Sequence, residues 1–587
     1  MWTDDYEQKM QELLNDDKTY RRIRSDPTNR YQIANNNIVQ RLLNLKLIDY
    51  RTAATLKTTT ATTPRIYGLP KAHKPSLPLR PVVPGMTSPS YELSKYVCRI
   101  LQASLDNKYN IRDSYSFCQY INTITIPSGY VMVSFDVVSL FTNIPKQLVI
   151  HDIIQIWDTI KPNTEINLDL FLEIVSFCMD TSYFVFRNQF YEQIEGTAMG
   201  NPLSPVLADL VMGILLDTVT SKTDIVFTVL RKYVDDLMLV IPADRLQQVL
   251  DIFNSYHPSI QFTFEVETDG RLPYLDMTLV RQEDDTIRTE WYMKAIASGR
   301  LLNFSSLHPL TQKINTIKNV IDRVNRLSTN WDEEKKREVI AQILQTNDYP
   351  RNLINRFLNR THWTSTHAIT ADDHTTEEHT IGPPQAKIYR SLPYIPSLTP
   401  KIIQILRHDY PSVIICPRSV HTIRDLYTRI KDPIPMDHHH NVVYRIQCGN
   451  CDKCYIGMTG NLLKKRLSGH RSNLNQLENL LESGHTYADE PVRALREKTA
   501  LLAHCIDHDH RFIYETTRIV DRTYKRNILP ILEMIHISND NDSINKRTDT
   551  DRLSSTLSGL IHRINTVMTK NTNGQNNRNT NHPSDPT

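Results

Sequence analysis

The sequence predicts an α+β protein of several domains. Its 587 residues exceed what one hydrophobic core usually supports, since domains commonly hold ~100–200 residues. Strand-like runs such as YVMVSF and IVFTVLRKYV come first, and helical patterns follow from residue 294. A later segment, 361–384, is rich in Thr, His and acids, has no apolar periodicity and ends in two prolines, which is typical of a linker. We therefore expect separate modules on either side of it.

Composition narrows the class of protein. The 68 basic and 65 acidic residues give a formal net charge of +3, so nucleic-acid binding would need local basic patches or bridging metal ions. The first residues, MWTDDYEQKM, carry acids where a secretory signal needs an apolar core, and the longest aliphatic run, VLADLVMGILLD, is interrupted by Asp209. We expect neither export nor a membrane span. Eight cysteines do not make a disulfide framework in a chain of this size.

Aspartates follow two of the predicted strands. The segment KYVDDLMLV is best built as a hairpin with Asp235 and Asp236 at its turn, and VSFDVVSLFTNIP places Asp136 at the end of another strand. If these strands are neighbours, the carboxylates repel one another unless a cation joins them, so a convergent set implies Mg²⁺. Two such ions about 4 Å apart would activate a 3′-hydroxyl and stabilise a leaving pyrophosphate. The alternative is a plain turn that contains aspartate.

Two stretches flank these aspartates in the chain. The proline-punctuated, basic RIYGLPKAHKPSLPLRPVV is expected to be an extended hairpin or loop. In EGTAMGNPLSPVLADLVM, Gly196 and Gly200 permit close backbone approach, Asn201 can cap, and an apolar helix follows. A well-capped core helix is the simpler interpretation of that second stretch.

A second group of polar residues lies in NVVYRIQCGNCDKCYIGMTGNLLKKRLSGHRSN. The pattern predicts a strand with Tyr444, a cysteine-rich turn, a strand with Tyr455, and then a helix. Arg466 and His470 are four residues apart and share one face of that helix. A guanidinium can neutralise a phosphate while His or Tyr moves a proton, so these side chains are candidates for a phosphodiester site.

Cysteines and histidines near this group suggest a metal centre. Cys448 and Cys451 form a C-x2-C pair, and LLAHCIDHDHRF supplies His504 and His510, so a Cys2His2 zinc site can be assembled from two distant segments. The gap between the pairs is longer than in a compact zinc finger. The spare ligand candidates are Cys454, Cys505 and His508. The run of three histidines at 438–440 is expected to be a solvated loop.

The ordered series RIYGLPKAHK, LRPVV, FDVVSLFTNIP, GTAMGNPLSP, YVDD and LPYLDMTLV resembles the reverse transcriptase of Penelope-like retroelements over about residues 65–327. The resemblance implies a right-hand polymerase with fingers, palm and thumb, related to telomerase reverse transcriptase. It implies Asp136 and Asp235 as ligands of two Mg²⁺ ions and Asp236 as the third palm carboxylate. Phe141 matches the position of a bulky sugar gate, where an aromatic ring would collide with a ribose 2′-hydroxyl. Packing in the core is the alternative role for Phe141.

Further residues are candidates for substrate and template contacts. Lys71 and Arg80 would meet the triphosphate, unless they are solvated surface charges, and Gly200 would let the backbone approach the substrate. From residue 294 to 330 the cations outnumber the single acid, Asp322, which suits a thumb that grips a template–primer backbone; an ordinary solvated helix face is the alternative. Those cations are Lys294, Arg300, Lys313, Lys318, Arg323 and Arg326.

The second module resembles a GIY-YIG endonuclease, which the same retroelements carry. YIG is intact at 455–457, whereas the first triplet is Val442-Val443-Tyr444 and keeps only its tyrosine. The resemblance implies Tyr444 as general base, Tyr455 and Arg466 around the phosphate, and His470 in proton transfer. It also implies a zinc site beside these strands. A single Mg²⁺ would be held by Glu533 in NILPILEMIHI, for which a surface glutamate is the alternative.

Together these expectations predict an RNA-directed DNA polymerase that also nicks target DNA for target-primed reverse transcription. Its partners would be template RNA, target DNA with a primer 3′-end, and dNTPs, and it would be intracellular and act in the nucleus. The rivals are a polymerase with a decayed nuclease and a noncatalytic ribonucleoprotein scaffold. Nothing in the sequence predicts an oligomeric state. The predicted order is an N-terminal helical lead-in (1–64), fingers and palm (65–293), a thumb-like region (294–360), the linker (361–384), a connector (385–440), a small α/β GIY-YIG domain with zinc (441–545) and a disordered tail (569–587).

Overall fold

A computed structural model describes residues 3–71, 76–294, 297–359, 387–419 and 431–546. The predicted linker and tail lie outside these residues. The described chain is a mixed α/β protein with several hydrophobic cores.

Helices are distributed along the whole described chain. In chain order they are α1 (Thr3–Leu14), α2 (Thr28–Asn44), α3 (Tyr50–Leu56), α4 (Tyr91–Ser104), α5 (Ser114–Ile121), α6 (Leu140–Asn143), α7 (Lys146–Gln155), α8 (Trp157–Ile160), α9 (Leu168–Asp180), α10 (Ser204–Lys222), α11 (Leu246–Asn254), α12 (Leu310–Leu327), α13 (Glu333–Gln345), α14 (Arg351–Leu358), α15 (Thr399–Asp409), α16 (Leu463–Glu482), α17 (Glu490–Lys498), α18 (Ala500–His508) and α19 (Leu529–Asn539).

Strands are short and gather into small sheets. In chain order they are β1 (Tyr20–Ile23), β2 (Tyr67–Pro70), β3 (Leu79–Val82), β4 (Tyr130–Val137), β5 (Tyr183–Phe186), β6 (Gln189–Gln193), β7 (Val229–Tyr233), β8 (Asp236–Pro242), β9 (Phe262–Val266), β10 (Arg271–Tyr274), β11 (Met277–Arg281), β12 (Ile287–Trp291), β13 (Ile388–Pro393), β14 (Val413–Arg418), β15 (Val442–Cys448), β16 (Cys454–Thr459) and β17 (Phe512–Arg522).

The central sheet is antiparallel and has the strand order β7-β8-β4-β9. The strand-like segments QFTFEVE, LPYLDMTLV and EWYMK predict one small antiparallel sheet, but β9, in QFTFEVE, pairs with β4 instead. Aromatic packing explains this difference, because the ring of Phe135 in β4 lies 6.2 Å from Phe262 and 6.2 Å from Phe264. The small sheet is therefore β10-β11-β12 alone.

The N-terminal residues are helical, as expected, but they are not a separate lead-in. Strand β1 pairs with β6 in the sheet β1-β6-β5. Met10 and Tyr20 share a hydrophobic core with Ile66 and Phe184. Burial of these apolar side chains ties residues 3–64 to the segment that follows.

Helix α10 is the long apolar helix of the central core. By length and composition it could cross a membrane, but 61% of its 18-residue apolar window is buried inside the protein. Val211, Leu215 and Val219 are each at most 1% exposed and pack in the core beside the central sheet. This burial favours a core helix.

The region expected to be the thumb is a bundle of α12, α13 and α14. The sequence predicts one apolar helical stripe formed by Ile314, Ile317, Ile321 and Val324. In the structure the last three are buried and Ile314 is half-buried. These residues pack against Ile340 and other side chains of the two later helices. The amphipathic pattern of α12 is thus explained by a local core.

The C-terminal described module has an antiparallel sheet in the order β16-β15-β17. On one side, Tyr444 and Tyr455 share a core with Leu467 of α16 and Leu501 of α18. On the other side, Val443 and Ile456 pack against α19. The connector before this module contains the parallel pair β13 and β14 joined through α15.

Candidate functional site

The three predicted palm carboxylates lie at one end of the two inner strands of the central sheet, β4 and β8. Asp136 of β4 is directly opposite Asp236, the first residue of β8, and Asp235 lies in the turn between β7 and β8. The hairpin is therefore the predicted one. Val234 in the same turn has φ +60°, a conformation that is strained for a β-branched residue. The surrounding structure has to maintain this strained conformation.

The charges of these aspartates act on one another. Burial, together with the nearby charges of Asp235 and Asp136, raises the pKa of Asp236 to about 6, although Lys294 opposes the shift. Asp136 is exposed, and the other two are half-buried. Carboxylate oxygens are the ligands that Mg²⁺ prefers, so this donor set fits a divalent cation.

Residues outside the predicted set hold the hairpin in place. The ammonium of Lys232, in β7, is buried in an ion pair with Asp209 of α10. The amide of Asn110 donates to both carboxylate oxygens of Asp209, at 3.3 and 3.2 Å. The hydroxyl of Tyr274 donates to the carbonyl oxygen of Asp236 at 3.1 Å. These contacts fix both strands that carry the turn.

Phe141 lies in α6, five residues after Asp136, and is half-buried against the central core. Its carbonyl oxygen accepts hydrogen bonds from the backbone N–H of Thr197 at 2.6 Å and from the Thr197 hydroxyl at 3.1 Å. A Cβ on Gly196 would lie 2.4 Å from the carbonyl oxygen of Thr142. The loop from Gly196 onward is therefore packed directly on the backbone around Phe141.

Gly200 contacts backbone in this structure. It has φ +117°, and a Cβ there would lie 2.3 Å from the carbonyl oxygen of Val83. The backbone N–H of Val83 donates to Met199 at 2.8 Å, and that of Gly85 donates to Gly200 at 3.2 Å. Packing of the two loops therefore explains the glycine without a substrate.

Lys71 and Arg80 belong to the hairpin of β2 and β3, as the proline-rich pattern predicted. Arg80 is exposed and pairs with Leu69 across the hairpin. Lys71 is half-buried, and its backbone N–H donates to Pro78 at 2.8 Å. This hairpin is a different sheet from the one with the aspartates, and it reaches the loop at Gly200 through Val83.

Several of the predicted thumb cations contact the protein itself. Arg323 forms an ion pair with Asp276 at 2.8 Å, and Arg326 lies 3.9 Å above the ring of Tyr115. Lys313 donates to the carbonyl oxygen of Ser306 at 2.6 Å. A cavity of about 720 Å³ between β12 and α12 is lined in part by Lys294, Arg300 and Arg323. The basic excess of this region is therefore only partly available to a ligand.

In the second module, the structure brings Tyr444, Arg466 and His470 together. Arg466 Nε donates to the Tyr444 hydroxyl oxygen at 3.1 Å, which leaves the phenol hydrogen for His470 Nε2 at 2.8 Å. The ring of Tyr455 lies edge-on to His470, with 5.5 Å between centroids. Tyr444 is 0% exposed and His470 is 2% exposed. Arg466 is the exposed member of this group.

Burial also sets the protonation of this group. It lowers the pKa of His470 to about 4, with a further contribution from the Arg466 charge. The imidazole is therefore neutral near pH 7 and can accept a proton. Burial raises the pKa of Tyr444 above its ordinary value, and the neighbouring Tyr455 adds to the shift. Tyr444 consequently keeps its hydrogen unless it passes that hydrogen to His470.

The tight fit of these rings explains the glycine of the YIG triplet. Gly457 is opposite Tyr444 in the sheet, and a Cβ there would lie 2.7 Å from the Tyr444 hydroxyl and 2.8 Å from the Tyr455 ring. Asn545, which we did not predict, binds both backbone groups of Ile456, at 3.0 and 2.8 Å. It thereby fixes the strand next to Tyr455.

Glu533 lies on α19, half-buried, where the pattern predicted a helical glutamate. Its charge is close enough to contribute to the raised pKa of Tyr444. Helix α19 packs on the face of the sheet that carries Val443 and Ile456, opposite the core of Tyr444 and Tyr455, and the charge of Glu533 acts on Tyr444 from there.

The four predicted zinc ligands form one cluster. Cys451 Sγ lies 3.6 Å from His504 Nε2, Cys448 Sγ lies 3.6 Å from His510 Nδ1, and the two imidazole nitrogens are 3.0 Å apart. All four ligand atoms lie within 4.8 Å of one another. Zinc bonds of about 2.0–2.3 Å in a tetrahedron fit separations of this size.

The spare candidates have other surroundings. Cys454 Sγ contacts Asp540 at 3.4 Å, and Cys505 is buried in the hydrophobic core of the module. The ring of His508 lies 4.9 Å from that of His504 but is not part of the four-residue group. Cys448, Cys451, His504 and His510 are therefore the set that is compatible with zinc.

Loss of this cluster is expected to unfold part of the module. We predict that the purified protein holds about one zinc per chain and that Cys448→Ser loses it and lowers the melting temperature, because zinc binding contributes folding energy. Elemental analysis and thermal denaturation measure both effects. The exposed Cys416 provides the control, since Cys416→Ser should keep the metal. Freshly purified protein without zinc, prepared without chelator, would refute the prediction.

Comparison with known families matches one segment of the chain. Residues 300–359, which hold α12, α13 and α14, match the animal helix-turn-helix domain. Our sequence interpretation treated these residues as a thumb and missed this family. No curated protein matches the chain.

Solved structures that resemble the chain include apo telomerase from Candida tropicalis, at TM-score 0.33 and 12% identity over 51% of this chain and 58% of that one. Telomerase from Candida albicans with a TWJ fragment of telomeric RNA matches at TM-score 0.35 and 11% identity, over 62% and 68%. The RNA-dependent RNA polymerase of a human picorbirnavirus matches at TM-score 0.35 and 11% identity, over 60% and 78%. The chain spans only 56% of a truncated Candida tropicalis telomerase. TM-scores this low do not support a functional assignment, so the assignment depends on the sites themselves.

Proposed function

We propose that this chain is an RNA-directed DNA polymerase of a Penelope-like retrotransposon, with a second, GIY-YIG type nuclease site that nicks target DNA. Template RNA, a DNA primer end and dNTPs would be its substrates, and it would act in the nucleus. The observation that carries the polymerase proposal is the register of the central sheet, which sets Asp136 opposite Asp236 beside Asp235.

The polymerase site supports phosphoryl transfer through its carboxylates. Asp136 and Asp235 would hold Mg²⁺, which when bound lowers the pKa of a primer 3′-hydroxyl and neutralises pyrophosphate. Asp236 would stay close to both and add negative charge that attracts the cations. Lys232 and Asp209 keep the hairpin in position while substrates bind. Lys71 and Arg80, on the neighbouring hairpin, would contact the triphosphate.

Primer extension tests this proposal. Purified protein would be given an RNA template, a labelled DNA primer, dNTPs and Mg²⁺, and the product length would be measured on a denaturing gel. Extension that depends on the template supports a polymerase. Its absence from folded, zinc-loaded protein favours the noncatalytic scaffold.

Phe141 provides a prediction about sugar selection. Its ring follows Asp136 by five residues and is half-buried, so Phe141→Ala would open space where a ribose 2′-hydroxyl could fit. We expect ribonucleotide incorporation relative to deoxynucleotide to rise about tenfold or more. Competing rNTP and dNTP in the same extension assay measures the ratio, and Phe141→Tyr, which keeps the ring, is the control. An unchanged ratio in Phe141→Ala would identify Phe141 as a packing residue.

The nuclease proposal is supported by the hydrogen-bonded group of Tyr444, His470 and Arg466. Arg466, the exposed member, would meet the phosphate. Neutral His470 would receive the proton that Tyr444 takes from an attacking water, so the two side chains act as a relay. Tyr455 would border the phosphate, and Glu533 would hold Mg²⁺, which when bound polarises the scissile phosphodiester. Nicking of supercoiled DNA tests this proposal.

A further nucleic-acid contact is supported at α14, in the segment similar to the helix-turn-helix family. Arg351, Asn352, Asn355 and Arg356 are all exposed on this helix. Arg and Asn are side chains that form paired hydrogen bonds to guanine and adenine in a major groove. We propose that α14 contacts the template–primer that the polymerase site extends.

A further inference from the structure

The turn between β17 and α19 presents an aromatic side chain to solvent. Tyr524 in this turn is 105% exposed, whereas the next most exposed large hydrophobic residue of the described chain, Tyr50, is 80% exposed. A tyrosine ring usually gains free energy when it is covered. A ring this exposed is available to a ligand.

The turn is held by hydrogen bonds and is not a loose loop. The backbone N–H of Thr523 donates to Asn441 at 3.1 Å, and the backbone N–H of Lys525 donates to the Thr523 hydroxyl at 3.1 Å. The N–H of Ile528 then donates to Lys525 at 3.0 Å. The backbone on both sides of Tyr524 is therefore fixed, and the ring needs little ordering when it binds.

Three cationic residues flank Tyr524 in the sequence of the turn. Arg522, Lys525 and Arg526 are all exposed, and none forms an ion pair with any residue that the structure describes. The nearest acid in the chain, Asp521, contacts His536 at 3.2 Å. Cations next to an exposed aromatic ring suit a polyanion that also offers flat rings, which is the chemistry of a nucleic acid.

The turn also lies beside the candidate nuclease site. Val442 pairs with Thr459 on one side and with Arg522 on the other, so the end of β16 and the start of the turn share one end of the sheet. A Cβ on Gly460 would lie 2.8 Å from Arg526 Nε, so the loop after β16 touches the turn. Helix α16, which carries Arg466, begins three residues after Gly460.

We propose that the turn from Arg522 to Arg526, here called the tyrosine turn, is a DNA-binding element of the nuclease. Its three cations contact phosphates of the DNA duplex, and the Tyr524 ring stacks on a base that is unstacked beside the cut. This proposal rests on the proposed nuclease function, because it takes the DNA at this site as the substrate.

Crosslinking tests the contact directly in the full chain. The photoreactive residue p-benzoylphenylalanine would replace Tyr524, and the protein would be irradiated with a labelled DNA duplex that contains one nick, without added Mg²⁺ and without chelator, so that the zinc stays bound and no cleavage is needed. Tyr487, an exposed tyrosine of the same module, provides the matched control position. We expect a protein–DNA crosslink at position 524 and little at position 487. Equal crosslinking at both positions, or none at position 524, would overturn the proposal.

Substitutions then separate stacking from charge. In the full chain, Tyr524→Ala is expected to weaken binding of the nicked duplex about tenfold. Tyr524→Phe, which keeps the ring, should bind like the wild type. Lys525→Ala should reduce the slope of log affinity against log salt concentration by about one, which corresponds to the loss of one phosphate contact. Fluorescence anisotropy of a labelled nicked duplex, without added Mg²⁺ and without chelator, measures these affinities. Equal affinities of wild type and Tyr524→Ala would overturn the role of the ring.

The two proposals fail in different ways. If the wild-type protein never nicks DNA but crosslinks at position 524, the nuclease function is wrong and the DNA contact stands. If the wild-type protein nicks DNA and Tyr524→Ala nicks with the same KM, the nuclease function stands and the tyrosine turn has no part in it.

Discussion

Asp235→Asn is expected to lower primer extension by about two to three orders of magnitude while the protein stays folded. The substitution removes one charge from the proposed Mg²⁺ site and nearly preserves the shape of the side chain. Asp235 lies in the turn between β7 and β8, half-buried, next to the Asp136 and Asp236 pair. Rates of single-nucleotide addition and a thermal melt measure the two parts of this expectation.

Asp244→Asn is the matched control for that experiment. Asp244 is exposed just after β8 and lies away from the paired aspartates. This variant should extend primers like the wild type. Full activity in Asp235→Asn would reject the polymerase assignment, because Asp235 is one of the two proposed Mg²⁺ ligands.

Glu533→Gln is expected to abolish nicking of supercoiled DNA and to leave extension of a supplied primer intact. The amide keeps the side-chain volume in an apolar helix but loses the charge that would bind Mg²⁺. Conversion of supercoiled to open-circle plasmid measures the loss. Glu482→Gln, an exposed residue of α16, is the control and should nick normally. Nicking at the wild-type rate by Glu533→Gln would remove Glu533 from the site.

Hydrogen bonds between the polymerase region and the connector before the nuclease module allow Glu533→Gln to test a second point, the independence of the two modules. The backbone N–H of Arg187 donates to Asp432 at 2.6 Å, and Arg65 Nε donates to the carbonyl oxygen of Pro433 at 3.1 Å. Sites with no shared partners should behave independently. If Glu533→Gln lost both activities while it remained folded, these contacts would couple the modules and the domain boundary drawn from the sequence would be wrong.

The strands of both sites could be predicted from the sequence because their apolar runs end at polar residues. Asp136 and Asp235 terminate such runs, and the convergence of β4 with the β7–β8 hairpin needed only that the strands be neighbours. The direct pairing of Asp136 with Asp236 could not be predicted, since register depends on packing across the sheet. The Cys2His2 cluster could also be predicted, because its ligands come as two close pairs in the sequence. The pairs are far apart, since 52 residues separate Cys451 from the next ligand.

The supporting residues were missed for physical reasons. Asp209 was noticed only as an interruption of an apolar run, yet a charge in such a run signals a buried partner, which is Lys232. Asn545 is distant in sequence from the strand that it fixes, and no local pattern connects the two. Strand β17 also went unpredicted, because its many charged and polar residues hide the alternation of a half-buried strand.

The role of Gly200 shows how one residue type permits two explanations. A glycine before an apolar helix fits a substrate contact, and it equally fits a close approach of two loops. The structure provides the second explanation, since the carbonyl of Val83 occupies the space that a side chain would need. Phe141 also permits two explanations, a sugar gate and core packing, and the Phe141→Ala assay distinguishes them.

Extension of a DNA primer by the wild-type protein on an RNA template measures the proposed polymerase activity directly. We expect template-dependent DNA synthesis with dNTPs and Mg²⁺ that stops when EDTA is added. Folded, zinc-loaded protein that binds the template–primer but adds no nucleotide under these conditions would contradict it.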